Sequence, residues 1–253
     1  MNNRRIRTLL ACLVTAAVAF LPSLATAQAV DPAAVEMLKR MTDYLSNQKQ
    51  FSVVTQNTLE HVLDSGQRLD EDITVGVTIS RPNKLQSSRH GGLIDQTFYY
   101  DGKTLTVNNR NANVYAAEKA PATIEEMLDY AREELGLVLP ASDLVYRNVY
   151  SIMMQDVTSA EVVGKSVIND QVCNHLAFRR PDVEFQVWIA EKGEPLPCKY
   201  VVTDTTAREL VSTISVMSDW NLKPSVADTT FNYVPGKGAT KVNFMPLESG
   251  ASK

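Results

Sequence analysis

Gln96-Thr97-Phe98-Tyr99-Tyr100-Asp101-Gly102-Lys103-Thr104-Leu105-Thr106-Val107 is the stretch that decides the fold. Runs rich in aromatic and β-branched residues flank an Asp-Gly pair, and Asp-Gly supplies the positive φ angles of a type I′ turn. The stretch therefore reads as a tight antiparallel hairpin. A two-residue turn at Asp101-Gly102 pairs Tyr100 with Lys103 and Phe98 with Leu105. These residues share one face, which is taken as inward.

The same alternation extends upstream. Phe51, Val53, Thr55, Asn57 and Leu59 share one parity of a strand over residues 51–63. After a turn at Ser65-Gly66, Leu69, Glu71, Ile73, Val75, Val77 and Ile79 alternate on the return strand. Strict alternation gives one buried and one wet face, the mark of an antiparallel sheet. Arg81-Pro82-Asn83 ends that strand, and residues 84–90 form a short one before Gly91-Gly92. Downstream, residues 108–113 read as a loop and 114–117 as a strand.

A helical block follows. Thr123-Ile124-Glu125-Glu126 has the form of a capping box. Ile124, Met127, Leu128, Ala131 and Leu135 make its apolar stripe, Gly136 reads as a C-cap, and Pro140 blocks continuation. Residues 143–154 read as a second, less regular and largely buried helix. Strands return over about residues 160–167, 172–179, 183–189, 198–203 and 210–220, and a last segment leads through a Gly-rich turn to 241–244. Near the start, Asp31-Pro32 opens a helix that runs to about Asn47, with Val35, Leu38, Met41 and Leu45 on one face.

The fold class is α+β: one domain of about ten antiparallel strands, an N-terminal helix and a helical insertion. A long antiparallel sheet with one apolar face curls and needs a cover, and the helices are the only covers the chain offers. The expected architecture is a single curved sheet wrapped around them.

The 253 residues are 44% hydrophobic and 21% charged, which excludes a disordered or low-complexity chain. A formal net charge of −4 argues against nucleic acid as a partner. Arg4, Arg5 and Arg7 precede an apolar run over residues 9–21, and Ala25-Thr26-Ala27 forms a small-x-small site. This is the layout of a cleaved secretory signal over residues 1–27, and the run is short of the roughly 20 residues a spanning helix needs. Leu9-Leu10-Ala11-Cys12 is placed too early for lipoprotein processing, because the apolar run continues past Cys12. Without residues 1–27, which hold three Arg and no acid, 22 basic face 29 acidic residues, a net charge of −7. The expectation is a soluble periplasmic protein without stable membrane insertion.

Two cysteines then remain. An oxidising compartment favours a Cys173–Cys198 disulfide. Against it, the two lie two strands apart in a simple meander, about 9–10 Å, which is too far to bridge. Both readings stand at this point. Catalytic signatures are missing: the chain has no Gly-x-Ser-x-Gly elbow, no His-Glu-x-x-His and no phosphate-binding glycine pattern. Of His61, His90 and His175, only His175 lies near a cysteine, in Cys173-Asn174-His175, and no third ligand accompanies it. No metal, cofactor or enzymatic activity is expected.

Several strings carry a family resemblance: Arg81-Pro82-Asn83-Lys84-Leu85, Phe98-Tyr99-Tyr100-Asp101-Gly102-Lys103, Ala120-Pro121-Ala122-Thr123-Ile124, His175-Leu176-Ala177-Phe178-Arg179, and Pro195-Leu196-Pro197-Cys198-Lys199-Tyr200-Val201-Val202. In these the chain resembles bacterial predicted periplasmic proteins of domain of unknown function 2092, which look related to the LolA/LolB-like lipoprotein carriers. The resemblance covers most of residues 28–253. It implies one LolA/LolB-like domain, a half-open barrel with helices across its mouth and a hydrophobic cavity between them.

The inward parity names the candidate lining. Val75, Val77, Ile79, Phe98, Tyr100, Leu105 and Val107 belong to the first half of the sheet. Leu176, Phe178, Phe185, Val187 and Ile189 belong to the second, and Met127, Leu128, Leu135 and Met153 face them from the helices. Two functions fit. One is binding or carrying a lipid acyl chain or lipoprotein anchor in that cavity. The other is an envelope interaction or sensor protein with a filled core, whose partner is another envelope protein.

Overall fold

The computed structural model describes residues 29–137, 139–206 and 208–244. The export signal expected over residues 1–27 lies outside them. Two meanders make one sheet. β1 (Gln50–Val62), β2 (Arg68–Ser80), β3 (Lys84–Gly91), β4 (Asp95–Tyr100), β5 (Thr104–Asn109) and β6 (Val114–Lys119) pair in succession. So do β7 (Ser159–Ile168), β8 (Gln171–Arg179), β9 (Val183–Ala190), β10 (Pro197–Asp204) and β11 (Ser212–Asn221). An antiparallel β1–β11 pairing joins the two, with Thr55 opposite Met217. The sheet does not close: β7 is one edge strand and β12 (Thr240–Val242) the other.

The described residues thus hold twelve strands rather than about ten, and the last departs from the antiparallel expectation. β12 runs parallel to β6. It reaches that edge because the chain after β11 crosses the outer face, where Tyr233 packs on Tyr99 and Tyr115 and its hydroxyl lies 3.1 Å from Asn108 Oδ1.

The β4–β5 hairpin corrects the expected register. Tyr100 pairs with Leu105 and Phe98 with Val107. The Asp101 carboxylate accepts from the N–H groups of Lys103 (2.9 Å) and Thr104 (2.8 Å), an Asx-type cap. That cap centres the turn on Gly102-Lys103 and leaves Lys103 in solvent. Gly102 has φ +94°, and a Cβ there would stand 2.5 Å from Asn83 Nδ2. The parity is unaffected, so Phe98, Tyr100, Leu105 and Val107 all stay inward and buried.

The helices begin where their caps dictate. α1 (Pro32–Ser46) starts with Asp31 Oδ1 accepting from Ala33 N–H at 2.8 Å. Its buried face is Ala34, Leu38, Met41 and Leu45, and Val35 is only half-buried. α2 (Ile124–Glu133) has Thr123 Oγ1 accepting from Glu126 N–H. It stops before Leu135, because Gly136 turns left-handed (φ +63°) and the Leu137 N–H returns to Ala131 O. The single helix expected over 143–154 is two pieces, a 3-10 turn (Ser142–Val145) and α3 (Val149–Met154).

Cys173 and Cys198 form a disulfide although β9 lies between their strands. Their Cα atoms are 6.8 Å apart. Cys173 pairs with Ala190, the last residue of β9, and a bulge between Pro197 and Lys199 lets Cys198 reach over that strand end. The flat-meander distance does not apply where a strand stops and its neighbour bulges.

Candidate functional site

Three rows of inward side chains cross the first meander. The base row is Phe51, Ile79, Leu85, Tyr100 and Leu105. The middle row is Val53, Val77, Ser87, Phe98 and Val107. The third is Met217, Thr55, Val75, Arg89 and Gln96. Successive rows are two residues apart, about 7 Å. Polarity rises from row to row toward the β1–β2 hairpin.

Met127, Leu128 and Ala131 of α2, with residues 139–142 and Leu144 and Val145, cover these rows. Between cover and sheet is a cavity of about 70 Å³, within a larger void of about 870 Å³ that includes open solvent. Its walls are mostly apolar; the polar side chains among them are Thr55, Ser87, Arg89 and Ser142.

The base of the cover is pinned by Arg81, whose side chain is 1% exposed. Its Nη1 lies 3.2 Å from the Glu125 carboxylate, Nε donates to Gln48 O, and Nη2 donates to Val145 O. Burial pushes its pKa down, while Glu125 holds it up. Tyr100 ties the turn before α2 to the sheet. Its hydroxyl donates to Pro121 O, with Thr123 O at 3.2 Å, and burial pushes its pKa up to about 12.

Arg89 is different. It is 8% exposed, lines the cavity, and makes no hydrogen bond or ion pair among the described residues. Its guanidinium stands 5.7 Å from the centroid of the Phe98 ring. Burial pushes its pKa down, and the Glu71 charge partly offsets this. The apolar pattern passes over this residue. The signal for it is parity: Leu85, Ser87 and Arg89 alternate on β3, so Arg89 points inward with the other two.

Of the expected lining, Val75, Val77, Phe98, Leu105, Met127 and Leu128 do line the cavity. Ile79 and Tyr100 are fully packed in the base row, and Val107 is buried beside the cavity without lining it. Leu135 lies past the end of α2, and Met153 sits on α3; neither reaches the space. Leu176, Phe178, Phe185, Val187 and Ile189 do not line this cavity; they are buried in the core with Leu38, Met41 and Leu45 of α1. The Phe178 and Phe185 rings stack there at 4.7 Å. The second meander contributes to the lining only through Met217 and Trp220 of β11, beside the seam with β1.

On the outer face, His175 stacks on Trp188 at 4.0 Å, and its Nε2 lies 2.8 Å from Gln186 Oε1. Among the described residues no three His, Cys, Asp or Glu side chains converge to hold a metal ion. No helix among them is long and apolar enough to cross a membrane.

The family model for predicted periplasmic proteins (DUF2092) matches residues 34–245. The chain belongs to this family. No curated protein matches this DUF2092 chain. Solved structures similar to it include an uncharacterized conserved protein of Thermus thermophilus, at 12% identity and TM-score 0.46, covering 83% of this chain and 99% of that one. Lipoprotein LppX of Mycobacterium tuberculosis is 15% identical at TM-score 0.40, covering 78% and 100%. A LolA superfamily protein of Nitrosomonas europaea is 13% identical at TM-score 0.41, covering 79% and 97%.

Proposed function

We propose that this DUF2092 protein holds an alkyl chain, from a lipid or a lipoprotein anchor, in the cavity beneath α2, without catalysing a reaction. In this reading it is a soluble periplasmic binder, with residues 1–27 its cleaved signal and 28–253 one LolA/LolB-like domain. The observation that carries it is the apolar cavity itself, walled by Val53, Val75, Val77 and Phe98 on one side and Met127 and Leu128 on the other. Each methylene moved from water into such a lining contributes about 0.8 kcal/mol. Small-molecule sites enclose roughly 300–1,000 Å³. The 70 Å³ seen here admits part of a chain, so full uptake displaces residues 139–145 from the sheet.

The test is native mass spectrometry of protein purified from the envelope, with organic extraction of what it holds. A co-purifying acyl species supports the reading. A clean apo mass, with no lipid acquired on incubation, overturns it in favour of a filled-core protein that acts through envelope partners. Ala131→Phe, which fills the cavity from α2, should lose uptake while staying folded. Phe178→Ala, outside the cavity, should cost stability but keep uptake per folded molecule.

A further inference from the structure

We infer that the ligand is an anionic amphiphile whose head group pairs with Arg89 while its chain lies along the cavity. This rests on the reading of the cavity as an alkyl-chain site. Two buried arginines, Arg81 in the turn after β2 and Arg89 on β3, differ in their partners. Arg81 meets a carboxylate and two backbone carbonyls. Arg89 is nearly as buried and meets none. An arginine in a protein keeps its charge, and a buried charge without a partner is disfavoured. The Phe98 ring face offsets only part of this. Glu71 is the acid whose charge reaches Arg89, but its carboxylate is engaged with His61 Nε2 at 3.1 Å and makes no ion pair with Arg89. The Arg89 Nε is therefore buried without a partner among the described residues, in a chamber whose walls are mostly apolar.

The surroundings extend the match. Two hydroxyls line the same chamber: Ser87, two residues before Arg89 on β3, and Thr55 on β1, in the Arg89 row across β2. Thr55 Oγ1 already accepts from Asn57 Nδ2 at 2.8 Å, and Ser215 Oγ donates to Asn57 Oδ1 at 2.7 Å. The Thr55 hydroxyl proton is thus left to donate. A guanidinium fork with a hydroxyl donor nearby suits an oxyanion, either a carboxylate or a phosphate monoester. Phe51, Leu85 and Leu105, the base-row residues that line the chamber, lie four residues along the strands from the Arg89 row, about 13 Å. Head and tail of one amphiphile are thereby accommodated at opposite ends.

The test compares three ligands of equal chain length on the purified protein by isothermal titration calorimetry below their micelle concentrations: dodecanoate, dodecyl phosphate and dodecan-1-ol. The wild type should bind at least one of the two anions tenfold or more tighter than the alcohol. Which anion binds more tightly identifies the head group. Arg89→Met should lower anion affinity tenfold or more and leave the alcohol unchanged, and Arg89→Lys should keep much of the preference. Equal affinity for all three ligands in the wild type overturns this inference and leaves the alkyl-chain reading standing, as does an unchanged anion preference in Arg89→Met. No binding of any of the three removes both. Should Arg89→Met fail to fold, the wild-type comparison decides.

Discussion

Tyr100 is fully buried at the base of the cavity, its hydroxyl against the carbonyl oxygens of the turn that enters α2. Its phenol keeps the proton to about pH 12, whereas an unfolded tyrosine loses it near pH 10. Between those values the folded state binds more protons than the unfolded one, so this contribution is complete below pH 10 and is lost as the pH rises toward 12. Urea midpoints measured from pH 9 to 11.5 should fall, and Tyr100→Phe should flatten part of that fall while costing about 1–2 kcal/mol at neutral pH. An unchanged slope in the variant would assign the alkaline loss to other groups, such as Tyr146 and Tyr200, whose pKa values burial also raises. The residue scale is also where the sequence misleads about register. Asp-Gly was legible as a turn, but the turn centre depends on which N–H groups the Asp101 carboxylate captures, and that is settled only in three dimensions. Arg89 was legible by parity alone. Its lack of a partner was not, because that requires knowing where every acid falls.

At the scale of elements, caps are local and therefore readable. Thr123 accepts from Glu126 N–H as the capping pattern requires, so Thr123→Ala should cost about 1 kcal/mol, measured by chemical denaturation. Helix ends and the void are less readable, because they depend on packing between distant segments. Alternation on β8 and β9 correctly turns Leu176, Phe178 and Val187 inward. Whether that face is empty or filled depends on where α1 lies, and no pattern within the strands records it. The disulfide was ambiguous for a similar reason, since a bulge at Cys198 leaves no mark on the alternation. The bridge links residues 25 apart in sequence. Replacing both cysteines by alanine should lower stability by about 3 kcal/mol through the entropy returned to the unfolded chain, visible as a lower urea midpoint.

Across the whole molecule, the open sheet has two edges and guards them differently. The β6 edge is covered by β12. The β7 edge is met at its start by the chain near Val30, where Asp31 N–H donates to Ala160 O and Ala160 N–H donates to Ala29 O. Further along, β7 is irregular between Val162 and Gly164 and carries Lys165, which pairs with Glu191. Val163 and Val167 on either side are 51% and 65% exposed. Lysine and bulges on an edge discourage pairing with other chains. Lys165→Val should therefore drive self-association, seen as a faster-sedimenting species in analytical ultracentrifugation; a monomer at all concentrations would show that the irregularity alone protects the edge. The seam between the meanders has a consequence in time. Each meander pairs neighbours in sequence and can assemble from short-range encounters, whereas Thr55 must wait for Met217. Distant pairings form slowly. A growing chain thus carries a half-sheet with one raw flank until β11 emerges, and for the length of that wait its bare edge is open to any passing strand.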